Sequence, residues 1–87
     1  MGTVLAVFKI MPEDMEHFEE IKERVKDSLP GEVSLQDIRE EPIAFGLKAI
    51  IVGVTMEDKE GILDRVEEAL RSIPHVENVT VERTTLI

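Results

Sequence analysis

Apolar residues follow two patterns along this chain: continuous runs of strand length, and regular helical spacing. Residues 3–10 and 47–56 are almost continuously apolar, which is typical of strands covered on both faces. Residues 33–41 and 75–85 alternate between apolar and polar positions, as half-buried strands do. Pro42 directly follows residues 33–41 and is tolerated on an edge strand. We therefore predict four strands, two strongly apolar and two more polar.

Two segments between these strands have the apolar spacing of amphipathic helices. The first is predicted to open with Pro12, Glu13 and Asp14, with Asp14 as a candidate N-cap, and to stop at Pro30-Gly31. Its apolar stripe consists of Met15, Phe18, Ile21 or Lys22, Val25 and Leu29. The second is predicted to be capped by Asp58 and ended by Pro74. Its stripe consists of Ile62, Val66, Ala69, Leu70 and Ile73.

The predicted order of elements, β-α-β-β-α-β, restricts the fold to few topologies. Right-handed crossovers place the first and third strands side by side at the centre of a four-stranded antiparallel sheet, with both helices on one face. This topology puts the two strongly apolar strands at the centre and the two more polar strands at the edges. We therefore predict an α+β, ferredoxin-like βαββαβ sandwich formed by one domain, residues 1–87.

The segment between the second and third strands combines bend-forming residues with apolar ones. Pro42 and Gly46 bracket Ile43, Ala44 and Phe45. Proline fixes its own φ and glycine tolerates positive φ, so this segment is predicted to bend. Bends are usually polar because they lie in water. Phe45 is therefore expected either to close one end of the core, which position alone slightly favours, or to bury itself in a partner.

Composition limits the partners and the compartment. The chain has no Cys, so it forms no disulfide and no thiolate metal site, as suits a reducing cytoplasm. Its longest apolar run is strand-sized, well short of the roughly 18 residues that span a bilayer. No basic region followed by an apolar stretch opens the chain, so no signal peptide is predicted. We expect a cytoplasmic protein without a membrane partner.

The charge is strongly acidic, with 19 acidic and 10 basic residues giving a net charge of −9. Nucleic-acid binding needs cationic density to displace counterions from phosphates, so direct binding is not expected. The same field disfavours unaided binding of a nucleotide triphosphate. Acidity is consistent with a basic protein partner or with solubility alone.

Catalytic constellations are missing from the sequence. It contains no Gly-rich phosphate loop, no nucleophile elbow and no His-Glu-x-x-His motif. His17 and His75 stand apart without ligand spacing, so both are expected to be structural or solvated. We therefore predict no catalytic residue, no metal site and no cofactor.

Other functional classes built on this topology can be tested against the loop after the first strand. A metal chaperone would need Cys-x-x-Cys there, and an acylphosphatase would need a basic cradle for an anion. Glu13 and Asp14 satisfy neither requirement. A ligand-binding regulatory domain stays open, because such sites leave little trace in one sequence. Such a domain would dimerise through its sheet, whose central strands are apolar on both faces.

Residues 40–61 carry a family resemblance. The runs Glu-Glu-Pro-Ile-Ala-Phe-Gly-Leu-Lys-Ala, residues 40–49, and Val-Thr-Met-Glu-Asp-Lys-Glu-Gly, residues 54–61, closely resemble the exchange domain of translation elongation factor 1-beta. The resemblance extends over essentially the whole chain, and the short single-domain length is similar to the archaeal form. It implies the same fold. It also implies a guanine nucleotide exchange factor, not an enzyme, that regenerates the GTP form of elongation factor 1-alpha for carrying aminoacyl-tRNA.

The same resemblance implies where the GTPase is contacted. The aromatic residue of the Pro-Ile-Ala-Phe-Gly run inserts into the GTPase in this family, which maps the contact onto Ile43, Ala44, Phe45 and Gly46. Eukaryotic members have a lysine next to the C-terminal residue that approaches the magnesium and phosphate site. Leu86 stands at that position here. Either Arg83, three residues back, supplies the positive group, or exchange relies on wedging and not on charge, so the candidate exchange tip is Arg83, Thr85 and Leu86. The factor is expected to be a monomer when free.

Overall fold

Four strands and two helices account for most of residues 2–87, the part of the chain that the computed structural model describes. Both helices follow the apolar stripes expected from the sequence, and all four predicted strands form. The elements are β1 (Thr3–Pro12), α1 (Phe18–Ser28), β2 (Ser34–Pro42), β3 (Lys48–Glu57), α2 (Ile62–Arg71) and β4 (Val76–Leu86).

The strands form one antiparallel sheet in the order β2-β3-β1-β4. The central pair runs in continuous register from Val4 opposite Met56 to Ile10 opposite Ile50. The predicted topology is confirmed, with the strongly apolar strands at the centre and the more polar ones at the edges. Central strands have neighbours on both sides and meet the core, so their apolar content follows from their position.

One face of the sheet and both helices share a single core. Alternate residues of the central strands, such as Phe8 and Val52, are fully buried. They lie in one apolar cluster with the buried stripes of both helices, so both helices cover the same face. On the opposite face Leu5 and Val7 are only half-buried. The expectation that residues 3–10 are covered on both faces is therefore wrong, because no helix lies over that second face within residues 2–87.

The first helix begins four residues later than its predicted N-cap. Pro12 is buried and belongs to β1, where it pairs with Val76 of β4. Asp14 caps a turn instead, its Oδ1 accepting the backbone N–H of His17 at 3.2 Å. α1 starts at Phe18, and pairing with β4 extends β1 into residues that the sequence pattern assigned to the helix.

The second helix also starts later than predicted. The N–H of Asp58 donates to the carbonyl of Gly2 at 2.9 Å, which ties this residue to the start of β1. Gly61, at φ 80°, precedes Ile62 and has no side chain to cap the helix. The left-handed turn that glycine permits redirects the chain, and Asp58 is left outside the helix.

Candidate functional site

The segment between β2 and β3, residues 43–47, is a tight turn that presents apolar side chains to solvent. The N–H of Ile43 donates to the carbonyl of Leu47 at 2.7 Å, and the N–H of Leu47 donates to Ala44 at 3.2 Å. Phe45 and Gly46, the two central residues, have φ of 60° and 76°. These signs are those of a type I′ turn, whose central positions favour Asn and Gly. We call residues 43–47 the apolar turn.

Phe45 lies outside the core. The exposed fraction of its side chain is 98%. The expectation that Phe45 closes one end of the core is therefore wrong. The reason is geometric, since a tight hairpin turn directs its central residues away from both strands. A bulky residue at positive φ is also a backbone outlier, with a cost on the order of 1–2 kcal/mol. The free chain therefore keeps an exposed aromatic side chain on a strained backbone.

Exposed apolar side chains are concentrated at two places in the described chain. Ile43, Phe45 and Leu47 lie in the apolar turn, and Leu86 and Ile87 lie at the C-terminal end. These five are all the large apolar residues that the structure leaves exposed between residues 2 and 87. Leu47 was not among the predicted contact residues, because it opens an apolar run and looks like part of the next strand.

The two groups lie at opposite ends of the sheet. The apolar turn follows Pro42, which pairs with Lys48 at the start of β3. Leu86 pairs with Val4, which also pairs with Met56 near the end of β3. Eight strand steps separate Lys48 from Met56, or about 26 Å at about 3.3 Å per residue. The longest dimension of the chain is 42 Å. The structure therefore does not bring the two sets of predicted site residues together.

The C-terminal candidates differ in where they lie. Leu86 is 66% exposed at the end of β4, and the next residue, Ile87, donates its N–H to the carbonyl of Thr3 at 2.8 Å. Arg83 pairs with Val7 in the middle of the sheet. It lines shallow grooves on the helix-free face together with Ile51. Thr85 is exposed between them. Arg83 is thus a residue of the open sheet face, about 10 Å along the strand from Leu86.

A charged cluster lies beside the apolar turn. Glu40 of β2 accepts hydrogen bonds from Lys22 of α1 at 2.7 Å and from Lys48 of β3 at 3.3 Å. These hydrogen bonds hold the pKa of the Glu40 carboxyl below its ordinary value. The same contact with Glu40 raises the pKa of Lys22. The cluster ties a helix to both strands of the hairpin that carries the apolar turn.

The two histidines do not stand apart, which corrects the expectation from the sequence. Their rings are stacked, with centroids 3.6 Å apart and planes 5° from parallel. His17 Nδ1 lies 3.2 Å from Asp14 Oδ1, and this contact lowers the pKa of Asp14. His75 Nδ1 lies 3.6 Å from Glu13 Oε1. No sequence spacing could reveal the pair, because its members come from the start of α1 and the start of β4.

No polar or charged residue is buried within residues 2–87, and no buried side-chain polar atom there lacks a hydrogen-bond partner. A third carboxylate with a lowered pKa, Glu32, is hydrogen-bonded by Lys59 and lies beside Arg65 at the surface. Neither helix of the described chain has the length and apolar character that crossing a membrane requires. The large exposed apolar side chains of the described surface are those of the apolar turn and of the C-terminal end.

Comparison with known proteins gives consistent matches over nearly the whole chain. Residues 5–87 match the sequence model of the EF-1 guanine nucleotide exchange domain. Elongation factor 1-beta of Methanosarcina acetivorans is 49% identical over 83 residues, covering 93% of each chain. Elongation factor 1-beta of Methanoregula boonei is 40% identical over 87 residues, covering 99% of each.

A solved structure supports the fold. The de novo designed protein Foldit4 superposes with a TM-score of 0.70, covering 95% of this chain and 96% of the design. At 24% sequence identity, this likeness concerns the fold alone.

Proposed function

Since this chain belongs to the family of EF-1 guanine nucleotide exchange domains, we propose that it promotes exchange of GDP for GTP on elongation factor 1-alpha, with the apolar turn as principal contact. Exchange needs no acid, base or nucleophile, so the factor acts without covalent chemistry. It must bind the nucleotide-free GTPase more tightly than the loaded form. Linkage then requires that the affinity of the GTPase for nucleotide falls by the same factor.

The exposed Phe45 is the observation that carries this proposal. In the free chain its ring gains nothing from burial, and its backbone is held at positive φ. Both features cost stability, and a pocket on a partner would remove the first of them. Full burial of a phenylalanine is worth about 1.5–3 kcal/mol. Two backbone hydrogen bonds hold the left-handed turn, so the backbone at Phe45 is already ordered and less backbone entropy is lost on binding.

The magnitude of the Phe45 contact limits what it can achieve alone. Each 1.4 kcal/mol is about tenfold in affinity, so one buried phenylalanine can weaken GDP binding by about ten- to a hundredfold. This requires that the contact forms only with the nucleotide-free GTPase. Further weakening has to come from the other exposed apolar group, at the C-terminal end.

We propose that Leu86 acts at that end by wedging and not by charge. A leucine cannot replace a magnesium ion or compete for its ligands. Arg83 offers a positive charge, but it projects from the sheet about three residues back from Leu86. Leu86 and Ile87 are both exposed, so they can enter an apolar space on the GTPase. In this scheme the two ends of the sheet contact one GTPase at two separate places.

We further propose that the free factor is a monomer in the cytoplasm that binds neither membrane nor nucleic acid directly. The net charge of −9 supports the last point, since a strongly acidic chain is repelled by phosphates. The same charge attracts a basic surface on the GTPase and speeds encounter.

Release of a fluorescent GDP from elongation factor 1-alpha, followed by stopped flow, tests the function. We expect the release rate to rise with factor concentration and then saturate, as a ternary complex forms. An unrelated GTPase loaded with the same nucleotide serves as the control and should show no acceleration. Release from elongation factor 1-alpha that is unchanged at micromolar concentrations of factor would contradict the proposed function.

A further inference from the structure

The structure brings three metal-ligating groups together at one end of the sandwich. His17 lies at the start of α1, Glu20 one turn later, and His75 just before β4. One nitrogen from each ring and a carboxylate oxygen of Glu20 lie within 4.8 Å of one another. Both histidines are half-buried and Glu20 is exposed, so an ion from solvent can reach the cluster.

We propose that His17, His75 and Glu20 form a binding site for a divalent metal ion that favours imidazole ligands, such as Zn²⁺. Two imidazoles and one carboxylate are a ligand set found in zinc sites, and water completes the tetrahedron. Imidazole favours zinc, copper and nickel, whereas oxygen-only sites favour magnesium and calcium. The site is separate from the apolar turn and from the C-terminal end.

Carboxylates behind both rings support this assignment. Asp14 Oδ1 lies within hydrogen-bond distance of Nδ1 of His17, and Glu13 Oε1 lies 3.6 Å from Nδ1 of His75, a longer ionic contact. A proton on Nδ1 of His17 can be donated to Asp14, which leaves the Nε2 lone pair of that ring free for a metal. Metal-binding histidines usually have such an outer-shell partner, which fixes the tautomer and makes the ligand nitrogen more basic. One hydrogen-bonded carboxylate–histidine pair and a second, longer pair converge here.

The backbone position of one of the histidines is also fixed. His75 has φ 71°, a left-handed conformation that few residues other than glycine adopt. The carbonyl of His75 accepts the N–H of Glu13 at 2.9 Å, which anchors the loop before β4 to the end of β1. The second histidine of the pair, His17, lies at the first turn of α1. The distance between the two histidine backbones is therefore set by the fold, while each ring can still turn about its side-chain torsions.

Metal binding requires one specific movement. The stacked rings lie in parallel planes, and one ion cannot lie in both planes at once. At least one ring has to rotate about its side-chain torsions so that the two lone pairs converge. Binding should therefore separate the rings, and proton NMR can detect this because stacked rings shift each other's signals. A site made only of scattered carboxylates would leave the histidine signals unchanged.

Calorimetric titration of the untagged chain with Zn²⁺ tests the site, with Mg²⁺ as comparison. We expect saturable binding of one Zn²⁺ per chain, a higher melting temperature with Zn²⁺ and moved histidine signals, none of which Mg²⁺ reproduces. His17→Asn and His75→Asn should abolish this binding. Asparagine suits both backbones, since it caps helices and tolerates positive φ, so both variants should fold.

Glu20→Gln should weaken Zn²⁺ binding by about tenfold or more, since loss of even an outer-shell partner costs that much. Glu19→Gln makes the same charge change one position away on α1, and it should bind as the unmodified chain does. Absence of saturable binding in the unmodified chain would overturn the proposal. So would binding that survives in either histidine variant, or equal losses in Glu19→Gln and Glu20→Gln.

Discussion

At the scale of single residues, the three phenylalanines show how position decides the role of one side chain. Phe8 and Phe18 are buried in the core, while Phe45 is almost fully exposed. Phe8 lies on a central strand and Phe18 on the inner face of a helix, so neighbouring elements cover both rings. Phe45 occupies a turn position that nothing covers. Removing each ring should therefore affect different properties.

We expect Phe45→Ala to leave the melting temperature of the free factor nearly unchanged and to lower the exchange rate by about tenfold or more. The reason is that only a contact with the GTPase, worth about 1.5–3 kcal/mol, is lost. Phe8→Ala should instead destabilise the fold by about 3–5 kcal/mol, because it leaves a cavity. Thermal melts and stopped-flow GDP release measure the two effects separately.

Phe45→Asn is the matched control, since asparagine is favoured at this position of a type I′ turn. This variant should melt at the same temperature as the unmodified chain or at a higher one. It should still promote nucleotide exchange only slowly. If either Phe45 variant keeps both the melting temperature and the exchange rate of the unmodified chain, then the apolar turn is not the contact.

At the scale of elements, Glu40 links α1 to the hairpin that carries the apolar turn. Its hydrogen bonds to Lys22 and Lys48 join one helix and two strands at the surface. The lowered pKa of Glu40 means that its contribution to stability is present above its ordinary pKa of 4.5. That contribution is lost as the pH falls through the lowered pKa of the folded state.

Glu40→Gln should therefore lower the melting temperature at neutral pH, and the difference from the unmodified chain should shrink as the pH falls below 4.5. High salt should shrink it as well, because the cluster is partly exposed and screened. Melts across pH and salt provide the measurement. Glu23→Gln, at an exposed carboxylate of α1 outside the cluster, is the control. A constant difference between the Glu40 variant and the unmodified chain at all pH values would rule out the ionic link.

The elements were predictable from the sequence, whereas their starts and several contacts were not. Apolar patterning records burial, so it identified both central strands and the helix stripes. Asp14 and Asp58 looked like caps because helix capping is local, but pairing of residues 2 and 12 with distant segments moved both helix starts. The exposure of Phe45 depends on the turn geometry, and the histidine pair depends on long-range packing. Pro42 and Gly46 predicted the bend, but not the direction of the Phe45 ring, and the histidine pair leaves no local pattern at all.

At the scale of the whole molecule, the helix-free face of the sheet bears on the state of association. Leu5, Val7 and Ile51 form a half-buried apolar centre on that face. Charged side chains surround it, including an ion pair between Lys9 and Glu41 at 3.0 Å. Burying this face against a second copy would desolvate those charges and bring together two chains of net charge −9.

Sedimentation of the free factor should accordingly give the mass of one chain, 9.8 kDa, at both low and physiological salt. Screening at higher salt weakens the repulsion between copies, so the second condition is the more demanding one. A stable dimer that fails to accelerate GDP release would instead favour the regulatory domain that pairs through its sheet.

The separation of the two exposed apolar ends also affects how a complex would form and dissociate. Once one end is bound, the rigid sheet holds the other about 26 Å away, so the second contact forms at an effective concentration and not by a new collision. In the proposed complex each contact could then be weak while the pair holds firmly. Dissociation would proceed one end at a time, and an incoming nucleotide that displaced one end would leave the other too weak to persist. The weakness of each single contact would let one copy serve many GTPase molecules in turn.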